Sequence, residues 1–191
     1  DFESAYDCLK DVLAEIFNQY SFILDADNVN DYDRKLFTNL QNGMASKMEF
    51  KKSLKLLTRL LYAHYNKQVI ILLDEYDVPL AKAHERGYYE EMLDLMRGML
   101  QVLMDNDCLN FAVLTGCLRV SKESVFTGVN NFSTSSIISK NFNRYFGFTE
   151  KDVQQLLKDF GMSEQYSLVK EWYDGYNFGS VDMYCPWDVT C

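Results

Sequence analysis

Apolar positions along this chain follow two periods, and the switches between them mark out its elements. Tyr6, Leu9, Leu13, Ile16, Phe17 and Tyr20 recur every three to four residues, which predicts an amphipathic helix with Ser4 as its cap. Residues 25–46 are polar and turn-like, with room for one short helix over 34–40. Ser46 and Glu49 stand at capping-box spacing. The helix they open is expected to bury Phe50, Leu54, Leu57, Leu61 and Tyr65 on one face.

The pattern then changes. Val69 to Leu73 are apolar without alternation, between Lys67-Gln68 and Asp74-Glu75, which predicts a strand buried on both faces of a parallel sheet. Leu109 to Leu114 make a second such strand, ending at Thr115-Gly116. Met92, Leu93, Met96, Met99, Leu100 and Leu103 mark a crossover helix between them. Strand, helix and strand compose a βαβ unit, for which a right-handed crossover is the strong steric preference. A shorter strand is expected near Ser136 to Ser139. Beyond it, Thr149 caps a helix reaching Phe160 and stopping at Gly161, and another helix spans about 164–173. Gly175 to Gly179 reads as a tight turn, and Pro186 as the first turn of a last helix. The organisation expected is a parallel-sheet α/β core over 1–148 and a small helical segment over 149–191.

Composition narrows the class. Nearly half of the 191 residues are apolar (48%), enough for a true interior. The formal charge of −9 argues against a broad phosphate-backbone footprint, so contact with nucleic acid is expected only through other parts of a longer protein. The five cysteines are scattered with no CxxC pair, which fits free thiols in a reducing, cytoplasmic compartment. His64 and His84 lack ligand-like spacing to them, giving a zinc site little support. No apolar run has the length of a membrane-spanning helix, and no membrane partner is expected. The chain opens at Asp1 and not Met, and stops at Cys191 soon after a helix start, as if cut from a larger protein.

The chemistry concentrates at VIILLDEYD, residues 69–77. A buried parallel strand delivers two acids to its carboxyl edge, where open α/β sheets bind ligands. In phosphate-loop ATPases the first acid holds Mg²⁺ and the next polarises the attacking water, roles that would fall to Asp74 and Glu75. The same run also fits a strand that merely ends in solvated acids, and the pattern alone leaves both readings open. Tyr76 and Asp77 are expected to shape the following loop, with Pro79 fixing its direction. Trp172, Tyr173, Tyr176 and Phe178 lie among acids and few cations, so packing is favoured over base stacking.

LLDEYDVPLAKA and GYYEEMLDLMRGML resemble the Walker B region of the predicted AAA-ATPase-like family, which often carries a PD-(D/E)XK nuclease-like domain further on. The resemblance continues through LTGCLRVSKESVFTGVNN, RYFGFTEKDV, EWYDGYNFG and YCPWDV, covers the chain from residue 68 onward, and is looser over the first 65 residues. It implies a P-loop NTPase fold binding ATP and Mg²⁺, with Asp74 on the metal and Glu75 as base. It further implies Thr115 as a polar sensor beside the attacking water and Arg119 as a sensor of the terminal phosphate. Taken alone, Thr115 is an ordinary strand-end residue and Arg119 a solvated loop cation; Lys122, Asn130 and Asn131 are weaker candidates. The phosphate loop requires G-x-x-x-x-G-K-[ST], yet none of the nine glycines precedes a lysine.

By resemblance, that loop and its strand lie upstream of Asp1, and residues from 149 onward correspond to a lid. The segment alone is then expected to be inactive and to bind ATP weakly. Its open strand edges would favour self-association. Rival readings are a nucleotide-dependent switch without turnover and an interaction module without nucleotide chemistry.

Overall fold

A computed structural model describes residues 1–26, 29–117, 126 and 133–190. The chain divides into two compact units, residues 1–130 and residues 131–191. The fold is mixed α/β, mostly helical, with a small parallel sheet of two strands in the first unit.

In the first unit, helix α1 (Phe2–Gln19) buries Tyr6, Leu13 and Phe17, one stripe of the apolar pattern. Its cap is Asp1, whose carboxylate accepts from the Ser4 N–H at 2.9 Å, so the cap lies three residues before the expected Ser4. A 3-10 turn (Ser21–Asp25) leads to α2 (Asp31–Gln41), longer than the short helix expected because Asn30 caps it and Asp31 and Asp33 fill its first turn. Phe17 of α1 meets Phe37 of α2 edge to face, ring centres 4.7 Å apart. The guanidinium of Arg34 donates to the carbonyls of Leu24, Ala26 and Val29, which ties the chain before α2 onto that helix.

Ser46 and Glu49 do form the capping box. The helix they open is α3 (Lys47–Lys51), and it breaks at Lys52 before α4 (Ser53–Tyr65). The break rotates the buried face. Ser53, Leu56, Leu57 and Leu60 go inside with Phe50, whereas Leu54 and Leu61 are only partly buried and Tyr65 is 54% exposed. Asn66, in the left-handed conformation, ends α4.

Strands β1 (Val69–Leu73) and β2 (Leu109–Leu114) occupy the expected positions and pair in parallel, Ile71 opposite Ala112 and Leu73 opposite Leu114. Between them run α5 (Val78–Arg86) and α6 (Tyr89–Leu100), a crossover of two helices. Met92, Leu93, Leu95, Met96, Met99 and Leu100 of α6 all enter the core. Burial of the strands on both faces does not hold: Ile70, Leu72, Phe111 and Val113 share one face and are 46–74% exposed. An unbroken apolar run fixes strand character but not how many of its faces find cover.

In the second unit, Thr149 and Asp152 form a capping box on α7 (Glu150–Asp159), which ends before Gly161 in the left-handed conformation. A 3-10 turn leads to α8 (Tyr166–Tyr173), and Pro186 opens the five-residue α9 (Pro186–Thr190). This unit is not purely helical. Strands β3 (Phe148–Thr149), β4 (Asp174–Phe178) and β5 (Val181–Tyr184) form an antiparallel sheet in the order β3-β5-β4. The tight turn therefore falls at Gly179-Ser180 and not at Gly175 to Gly179, with φ of 53° and 80° as a two-residue hairpin loop requires. The strand expected near Ser136 to Ser139 is a turn: Ser139 N–H donates to Ser136 O at 2.8 Å and Ser139 Oγ accepts from Ser136 N–H at 3.0 Å. Such local bonds compete with ladder pairing and leave Ile137 and Ile138 outside.

Val153 and Leu157 of α7 pack with Tyr184 of β5 into this unit's core. Since α7 presents that face, its cap has a measurable effect. Thr149→Ala is expected to cost about 1 kcal/mol, read as an earlier denaturant midpoint with an unchanged slope.

Candidate functional site

The acid pair lies where β1 gives way to α5. Two parallel strands stop side by side, and each gives its next residues to one loop surface. The strand ends are pinned by the backbone: Thr115 N–H donates to Leu73 O at 2.9 Å, and Tyr76 N–H donates to Thr115 O at 3.1 Å. Those two bonds bring Asp74 and Thr115 together although they are 41 residues apart in sequence. The Thr115 hydroxyl donates to Asp74 Oδ1, and the Glu75 N–H donates to the same oxygen at 3.0 Å. The hydroxyl of Thr115 is thus directed at Asp74.

Asp74 and Glu75 are both exposed. Glu75 adopts φ of 50°, the left-handed region uncommon for a residue with a side chain. Such conformations persist where the surroundings impose them, and they concentrate at functional sites. Here the Asp74 carboxylate holds the Glu75 N–H, and Glu75 O accepts from Val78 N–H at 3.1 Å, starting the turn into α5. Pro79 sits in the first turn of α5, where its missing N–H costs nothing.

Beneath the pair the loop is packed. Asp77 is 2% exposed, and Tyr76 is half-buried with its ring edge-on to the buried Phe126, centres 5.4 Å apart. Burial, and then the charge of Asp77, push the Tyr76 phenol above its ordinary value, so Tyr76 stays a neutral packing group. Gly116 covers Asp77 directly. In the sequence its only mark is the Thr115-Gly116 pair that ends an apolar run. Arg119, Lys122, Asn130 and Asn131 lie outside the described residues.

The arrangement suits a hydrated divalent cation. Two donors fix Asp74 through Oδ1, and the group is open to solvent. Mg²⁺ is commonly held by one or two carboxylates with retained waters and substrate phosphates, so a single oriented acid meets the protein's share. Among the described residues no group of three or more His, Cys, Asp and Glu could hold an ion by itself. The four described cysteines, Cys8, Cys108, Cys117 and Cys185, are free thiols. No helix among the described residues is long and apolar enough to cross a membrane.

Comparison with known proteins gives this geometry a context. The chain is 32% identical over 135 residues to an uncharacterised protein in the vnfD 5′ region of Azotobacter chroococcum mcd 1. The alignment covers 70% of this chain and 26% of that protein, so the chain spans about a quarter of its relative's length. No solved structure matches. A family described as predicted AAA-ATPase matches residues 2–126, which takes in residues 2–65, where the motif resemblance is looser, and both strand ends of the site. The chain belongs to the predicted AAA-ATPase-like family.

Proposed function

We propose that this chain contributes the metal-holding and water-activating part of an ATP-hydrolysing P-loop NTPase. The observation that carries the reading is the convergence of Asp74, Glu75 and Thr115 at the carboxyl ends of two adjacent parallel strands, in a chain of this family. Asp74 would hold Mg²⁺, whose chemistry there is neutralisation of charge on the transferred phosphoryl group. Glu75, exposed beside it, would accept a proton from the attacking water. Thr115 orients the Asp74 carboxylate through its hydroxyl, a role that supplements that of a sensor beside the water. Arg119 would meet the terminal phosphate and stabilise the charge developing on it.

In this reading residues 1–148 belong to the nucleotide core and residues 149–191 to the lid that follows it. The phosphate-gripping loop comes from elsewhere in a longer polypeptide. The compartment is the reducing cytoplasm, in keeping with the free thiols.

The test is the metal dependence of nucleotide binding. In the full-length protein, Asp74→Asn is expected to remove most of the affinity that Mg²⁺ adds for ATP, with metal-free ATP binding little changed. Calorimetric titrations with Mg²⁺ and with EDTA measure both. Equal Mg²⁺ enhancement in wild type and variant would take Asp74 out of the metal site.

A further inference from the structure

The end of β2 rests on the acid loop with no space between them. A Cβ built on Gly116 would lie 2.6 Å from Asp77 Oδ1, 2.9 Å from Asp77 Cγ and 3.0 Å from Tyr76 Cε1. Side-chain carbons do not approach other atoms so closely, so any residue larger than glycine must displace something. The neighbours have little freedom to yield. Asp77 is buried, and the Tyr76 ring is held against Phe126. The φ of Gly116 lies outside the left-handed region, so glycine is required here for space and not for backbone freedom.

The residue before it is Thr115, whose three bonds all cross to the end of β1: N–H to Leu73 O, carbonyl from Tyr76 N–H, and hydroxyl to Asp74 Oδ1. Lifting the strand end off Asp77 loosens the last two together. We infer that Gly116 is a positioning residue for the acid pair, its bare Cα letting β2 seat on Asp77 and thereby holding the Thr115 hydroxyl on Asp74. This inference rests on the ATP-hydrolysis reading above. A displacement of about half an ångström in a catalytic constellation is enough to lower turnover on the order of tenfold.

The experiment is steady-state ATP hydrolysis by the full-length protein carrying Gly116→Ala, Thr115→Val, and both. Gly116→Ala should lower kcat about tenfold, with KM for Mg²⁺–ATP within about twofold of wild type. On this inference the loss of turnover in both variants comes from one hydroxyl, that of Thr115 on Asp74. The double variant should therefore fall no more than about twofold below Thr115→Val alone. A wild-type kcat in Gly116→Ala, or losses that multiply in the double variant, would overturn the inference.

If Gly116→Ala does not fold, Asp77→Ala/Gly116→Ala takes its place, because the first change removes Oδ1 and Cγ, the two nearest of the three atoms that the new methyl meets. Turnover within about twofold of Asp77→Ala alone supports the role, and a further tenfold loss contradicts it. Wild-type turnover separates this inference from its premise. If the wild-type protein binds Mg²⁺–ATP without hydrolysing it, the ATPase reading fails; if it turns over and Gly116→Ala turns over equally fast, the positioning role alone fails.

Discussion

Glu75→Gln in the full-length protein is expected to bind Mg²⁺–ATP within about twofold of wild type and to lose hydrolysis by a hundredfold or more. The two side chains are nearly equal in size, and the backbone at φ of 50° is equally demanding for both. The bonds that set the loop, from Glu75 N–H to Asp74 Oδ1 and from Val78 N–H to Glu75 O, use main-chain atoms and survive the change. What disappears is a carboxylate able to take a proton from water. The substitution therefore acts on the transition state and leaves the ground state alone. Steady-state phosphate release paired with nucleotide titration separates the two effects. Equal weakening of binding and turnover would mean that Glu75 supports the loop and not the reaction.

The largest expected effect on stability lies away from the acids, at Asp33. Its side chain is 3% exposed and receives both Arg59 guanidinium nitrogens at 2.7 Å, joining α2 to α4. Asn30 Nδ2 donates to the same carboxylate at 2.7 Å. Arg59→Ala leaves that carboxylate inside with Asn30 alone. Removing one partner of a fully buried pair costs about 3–5 kcal/mol, and the half-exposure of Arg59 reduces this to about 2 kcal/mol through solvent screening. That corresponds to a melting temperature lower by about 5 °C for a chain of this size.

The pair also gives stability a pH dependence. The Arg59 hydrogen bonds hold the Asp33 carboxyl below its ordinary range, against the opposing effect of burial. A carboxyl depressed in the folded state contributes stability above its unfolded value of about 3.9, lost as pH falls through the folded value. Wild type should therefore lose stability steeply below about pH 4, and Arg59→Ala less steeply. Parallel acid-denaturation curves for the two proteins would contradict this assignment.

Some of this was legible in the residues and some was not. β1, β2 and the apolar face of α6 follow from runs and spacings that local sequence carries. The acids at 74 and 75 follow from the strand that ends before them. The Asp33–Arg59 pair links residues 26 apart, and neither type nor spacing marks it. Lys52 has no helix-breaking chemistry, so the join between α3 and α4, and the rotation of the buried face that it causes, could not be read from composition.

β4 was missed because its Gly and Asn residues favour turns locally, while pairing with β5 is a longer-range effect. Gly116 was missed for a related reason. Its role depends on Asp77 lying beneath it, and sequence cannot show that contact. The candidate acids thus stand side by side in the sequence, and the residues packed against them are brought there by the fold.

Phosphate release from Mg²⁺–ATP by the full-length protein decides whether this chain completes an ATP-hydrolysing site. Steady turnover is expected, and it should stop when Mg²⁺ is chelated. Glu75→Gln should stop it as well, in a protein that still binds the nucleotide. A full-length wild-type protein that binds Mg²⁺–ATP and releases no phosphate over many binding lifetimes would show that no such site is completed.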